Sequence, residues 1–138
     1  MEKHPPFRRL ILEDEHIVEK ENFDLGIAVA LEDDRLATAV IVDAMNAPVV
    51  ITSLGAFGVK AGAPIVVPPS VGTLFVGTAH RELIPNGKKN ESAEVITLSL
   101  TFDHRVVNGA GAASFANEIK KQIEGFKISA AKADAIRA

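Results

Sequence analysis

After the stretch DHRVVNG, residues 103–109, the hydrophobic pattern of this chain changes period, and that change limits the folds open to it more than any other feature. Before it, from Ser92 to Phe102, Val95, Thr97, Ser99 and Thr101 alternate with Ile96, Leu98, Leu100 and Phe102. After it, Ala112, Phe115, Ala116, Ile119 and Ile123 share one helical face, and Glu118, Lys120, Lys121 and Glu124 share the other. Side chains alternate across a strand and recur roughly every 3.6 residues on a helix, so a strand feeds a helix here through a short turn. The strand needs a sheet and the helix needs a surface to cover, which places the chain in the α/β (α+β) class.

Upstream, IVEKENF, DLGIAVALE and RLATAVIVDA are rich in Val, Ile and Ala without helix caps and read as strands, with Asp33 and Asp34 at the turn between the last two. Gly26 to Leu31 and Leu36 to Val42 are almost continuously apolar, which predicts strands covered on both faces or lying in a subunit contact. Ala47 to Leu54 reads as another strand, broken by Gly55, and the glycine-rich GAFGVKAGAP that follows is irregular. Pro68 and Pro69 end a short extended piece, after which VGTLFVGTAH resumes as a strand. Asn86 and Gly87 form a tight-turn signal that joins it to Ser92–Phe102 as a hairpin of two long strands. The first dozen residues are an entry segment anchored by Phe7, Leu10, Ile11 and Leu12. Residues 1–138 are read as one domain, with 126–138 as a tail whose thin apolar stripe forms a second helix only where a surface receives it.

Several function classes drop out on composition. A chain of 138 residues with 47% hydrophobic side chains can bury a core of its own, and zero cysteines exclude a disulfide scaffold, a thiolate zinc site and a cysteine nucleophile. A net charge of -3 supplies no basic field for nucleic acid. No apolar run approaches the roughly 18 residues of a membrane span, and MEKHPPFRRL is too polar for a signal peptide, so the expectation is a cytoplasmic protein without a membrane or a metal.

Of the four histidines, His4, His16 and His80 lack neighbours that suggest chemistry. His104 stands between Asp103 and Arg105 at the strand-to-helix turn, where rigid flanks can hold an exposed base against a ligand. The bland account competes with this: Asn108 as helix N-cap, Gly109 easing the turn, and His104 solvated.

LSLTFDHRVVNGAGAASFANEIKKQIE resembles the C-terminal signature of the dihydrolipoamide acyltransferases, the inner-core subunits of 2-oxo acid dehydrogenase complexes, within the chloramphenicol acetyltransferase-like superfamily. Its elements are a strand, DHR, two apolar residues, Asp or Asn, Gly, and a helix with an early Phe. ITSLGAFGV, APIVVPPSVGTLFVG and NFDLGIAVALEDDRLATAVIVDA are similar to further segments of that family in the same order, so the resemblance runs from about Phe7 to Glu124.

The resemblance implies a chloramphenicol acetyltransferase-like mixed sheet with its C-terminal helix after the DHRVVNG loop, and an acyl transfer between dihydrolipoamide and coenzyme A, the lipoyl group being supplied by another chain. His104 matches the general base that takes a thiol proton. The donor to the oxyanion, a group worth about 3–4 kcal/mol elsewhere, falls on Thr52 or Ser53, with Thr52 preferred, since alternation lets only one face the site. Asn108 stands where many relatives have Asp and completes the catalytic set, Asp103 and Arg105 match loop-fixing charges, and Gly109 is expected to let the helix start close to the sheet. A homotrimer or higher homo-oligomer is implied, with the histidine and the hydroxyl coming from different chains, and Gly55, Ala56, Gly58, Ala61 and Gly62 would allow close packing across a threefold contact. Family domains are longer, so the chain reads as a truncated version whose absent channel segments would set acyl specificity. The alternative is a non-catalytic trimer-forming module derived from the same core.

Overall fold

The computed structural model describes residues 3–21, 24–30, 36–41, 47–87 and 89–126. Its centre is a five-stranded mixed sheet built from β3 (Leu25–Ala30), β4 (Leu36–Ile41), β5 (Val49–Ser53), β6 (Gly72–Val76) and β9 (Leu98–Phe102), in the order β4-β3-β5-β6-β9. β3, β5 and β6 run parallel, and the two edge strands are antiparallel to their neighbours. The mixed sheet followed, among the described residues, by one helix, α1 (Gly109–Gly125), is the expected class.

α1 starts at Asn108, whose Oδ1 accepts a 2.8 Å hydrogen bond from the Gly111 amide and so satisfies one of the orphan donors of the first turn. Its apolar stripe then turns toward the sheet. Ala112 and Phe115 are buried with Val49, Val107 and Phe7, and Leu25, Leu100, Phe102 and Ile119 close around them. Phe7 is delivered by a 3₁₀ turn, Pro5–Arg8, and its ring stacks on Phe115 at 4.0 Å between centroids. The entry segment is therefore part of the core. It also forms a strand that its composition did not announce, β1 (Arg9–Ile11), antiparallel to β2 (Ile17–Glu19).

The Asn86–Gly87 turn is present, with Gly87 at φ 61°, and the long hairpin it closes is formed in two pieces, since β6 also pairs antiparallel with β9. The turn closes β7 (His80–Asn86) on β8 (Lys89–Val95) as a separate two-stranded arm. The breaks lie between β6 and β7 and between β8 and β9, where the Gly77 amide donates to the Thr97 carbonyl. At Gly77 a Cβ would run into the carbonyl oxygen of Lys60, so the bend is fixed by a backbone contact that only glycine permits. The turn at Asp33 and Asp34, the predicted double burial of Leu36 to Val42 and the 127–138 part of the tail lie outside the described residues or side chains.

Candidate functional site

The motif loop leaves β9 at Asp103, whose amide donates to the Val71 carbonyl at the start of β6. Asp103 then folds the loop on itself. Its carboxylate accepts from the Arg105 amide at 2.9 Å and from the Arg105 guanidinium at 3.1 Å (Nε) and 2.8 Å (Nη2). The Arg105 hydrogen bonds hold the Asp103 carboxyl below the usual carboxylate range, against a smaller opposing effect of burial, and Asp103 in turn raises Arg105. Glu15, at the tip of the β1–β2 turn and at φ 64°, reaches Arg105 Nη1 at 3.5 Å. Ninety positions separate this pair, and no local pattern in the sequence points to it.

Asp103, Arg105 and Asn108 are thus occupied in holding the loop and capping the helix. His104 is different. It is exposed, its ring lies 5.6 Å from that of Phe102, and among the described residues neither ring nitrogen has a hydrogen-bond partner. The other histidines are engaged: His4 lies edge-on to Phe115, His16 contacts Asp14, and His80 bridges the Thr78 carbonyl and Glu82. Gly109 departs from its expected role, because a Cβ there would meet no atom within 4 Å. Close approach is what Gly77 provides instead. Gly58 has φ 75°, which favours glycine, and a Cβ on Gly62 would make ordinary contact with the Phe75 ring at 3.4 Å.

The two candidate hydroxyls have different surroundings. Ser53 Oγ donates to the Val76 carbonyl at 2.8 Å and accepts from the Gly55 amide at 3.1 Å, so it is committed to shaping the end of β5. Thr52 points to the opposite face and opens on a groove of about 520 Å³ walled by Ala28, Val50, Leu54, Ile65 and Phe75. Two other hydroxyls line this groove, and both are used: Ser70 donates to the Ala47 carbonyl at 2.7 Å and Thr73 to the Ile65 carbonyl at 2.9 Å. Thr52 has no hydrogen-bond partner among the described residues.

His104 and Thr52 are not brought together within one chain. Thr52 lies level with Phe75 and, across β6, with Ser99. Phe102 is three residues further along β9 and two strands over, so its backbone is roughly 14 Å from that of Thr52 at normal strand spacings, and His104 lies beyond it. Among the described residues no group of three or more His, Asp or Glu side chains could hold a metal ion, and no helix is long and apolar enough to cross a membrane.

Residues 42–130 match the family described as 2-oxoacid dehydrogenases acyltransferase (catalytic domain). The dihydrolipoyllysine-residue acetyltransferase component of the acetoin cleaving system of Bacillus subtilis is 42% identical over 74 residues, 54% of this chain and 19% of that protein. Among solved structures, a dihydrolipoamide acetyltransferase of Azotobacter vinelandii, studied for the catalytic roles of a serine, a histidine and an asparagine, superposes with a TM-score of 0.78 at 27% identity, covering 89% of this chain and 63% of that one. The cubic core of a pyruvate dehydrogenase multienzyme complex gives a TM-score of 0.75 at 27% identity, over 87% of this chain and 61% of that one. The chain thus spans about a fifth of the curated Bacillus relative and under two-thirds of either solved chain.

Proposed function

Because the chain belongs to the 2-oxoacid dehydrogenase acyltransferase (catalytic domain) family, we propose that it moves an acyl group between a dihydrolipoyl thiol, carried by another chain, and the thiol of coenzyme A. The observation that carries this reading is the state of the motif loop, in which Asp103, Arg105 and Asn108 are bound up and the His104 imidazole alone stands free.

In the proposed step an imidazole nitrogen of His104 takes the proton of the attacking thiol, and the thiolate sulfur bonds to the thioester carbonyl carbon. The carbonyl oxygen becomes an oxyanion and accepts a hydrogen bond from the Thr52 hydroxyl, which keeps its proton. When the original carbon–sulfur bond breaks, the leaving thiolate recovers the proton from His104. An imidazole suits both halves, since the nitrogen that accepts the proton when neutral gives it back once protonated. Asn108 fixes the loop through its cap.

Spacing supports these assignments. In the Azotobacter enzyme the asparagine studied lies four positions after the histidine and the serine fifty-two before it. The same intervals here run from His104 to Asn108 and back to Thr52.

The separation of His104 from Thr52 supports a site shared with a second copy, with the imidazole of one protomer facing the hydroxyl of its neighbour in a trimer or larger homo-oligomer of the cytoplasm. The non-catalytic trimer-forming module is the weaker reading, because it leaves a free imidazole on a tightly braced loop without a use.

The test is acetyl transfer from acetyl-coenzyme A to dihydrolipoamide. His104→Ala is expected to lower the rate by about 10² to 10⁴. Equal inertness of both proteins, with the oligomer intact, overturns the reading. A clean monomer by mass in solution overturns the shared site.

A further inference from the structure

Resting on the acyltransferase reading, and in place of the expectation that segments outside this chain set acyl specificity, we infer that the groove beside Thr52 receives the acyl group and selects uncharged aliphatic acyl chains, branched ones included, over dicarboxylic ones. A thioester oxygen held by the Thr52 hydroxyl brings its acyl carbons against the surface on either side of that residue. Val50 and Leu54 flank Thr52 there, with Ala28, Ile65 and Phe75 completing the walls. These surfaces favour carbon, since removing apolar area from water is favourable in proportion to that area.

A terminal carboxylate entering the same groove would lose its hydration among these side chains, and burial of an unpaired charge is strongly unfavourable. The hydroxyls do not offset this. Ser70 and Thr73 already donate to the Ala47 and Ile65 carbonyls, and Thr52 is engaged with the reacting oxygen. On the side of the neighbouring protomer, Arg105 accompanies the imidazole but is already paired with Asp103. The cation nearest the base is therefore not free to greet a carboxylate.

Size points the same way. A groove of about 520 Å³ lies within the usual range for small-molecule sites and offers more room than the single methyl of an acetyl group fills. Phe75 closes one wall beside Gly62, where a Cβ would lie 3.4 Å from the tip of the ring.

The experiment compares acetyl-, isobutyryl-, isovaleryl- and succinyl-coenzyme A as donors to dihydrolipoamide, using the full chain in its native oligomer, with His104→Ala as background. Branched donors are expected at kcat/KM values no lower than that of acetyl, and succinyl at least about 30-fold lower. Phe75→Leu, a modest change of volume, is expected to raise the isovaleryl-to-acetyl ratio about tenfold and to leave succinyl where it was. Succinyl turnover equal to acetyl, or acetyl alone accepted, overturns the inference while the acyltransferase reading stands. A Phe75→Leu protein that is folded but has unchanged ratios overturns it too, and assigns the groove to a covering segment of the second copy. No turnover of any donor above the His104→Ala background overturns the reading itself, and the inference falls with it.

Discussion

The two faces of β5 meet different fates. Val49 is 1% exposed and sits with Phe7, Val107 and Phe115 under α1, whereas Thr52, three residues on and of opposite parity, opens on the groove. The covered face is what an isolated chain needs to fold. Around the open face, Ile65 is 80% exposed and Val67 64%, an apolar surface that does nothing for the stability of one chain. One face of the sheet thus serves the fold, and the other is turned outward.

This contrast can be broken by mutation. Phe115→Ala removes the ring stacked on Phe7 and should cost about 3–5 kcal/mol in chemical denaturation followed by circular dichroism; a loss under about 1 kcal/mol would mean that the covered face is not the core. Thr52→Val, on the other face, should lower kcat by about 10² to 10³ while stability stays within about 0.5 kcal/mol. Ser53→Ala sharpens the point: it gives up the bonds to Val76 and Gly55, costing about 1 kcal/mol with little change in kcat, and the reverse ranking of the two variants would exchange their roles. Asn108→Ala should cost about 1 kcal/mol through the lost cap, with Asn108→Asp restoring it.

The smallest effect concerns acid. The Asp103 carboxyl is lowered in the folded chain, so the stability it contributes is fully present above the unfolded carboxylate value of about 3.9 and is lost as pH falls through its folded value. Arg105 is largely exposed, which screens the pair and keeps the contribution modest. Asp103→Asn should flatten the fall of stability below about pH 4, measured by denaturation at stepped pH. An unchanged slope would remove Asp103 from the acid response.

How legible this was from the sequence depended on range. The Asn108 cap, the Gly87 turn and the stripe of α1 are local, and the pattern displays them. The break in the long hairpin is not local: alternation runs through Ile96 and Thr97 without a fault, and the bend is imposed by Lys60 backbone lying against Gly77. Thr52 and Ser53 show the limit most clearly. Alternation places them on opposite faces, but which face is covered depends on where α1 lands and on the carbonyl of Val76, 23 residues away, claiming Ser53. β1 escaped because its three residues gain meaning only from pairing with β2.

The distance between His104 and Thr52 in one chain also has a genetic meaning. If every working junction takes its imidazole from one protomer and its hydroxyl from the next, a chain damaged at His104 still lends a sound Thr52 to its neighbour. Two dead alleles, one at each position, would then complement when expressed together. With equal doses and random assembly, about one junction in four would be whole.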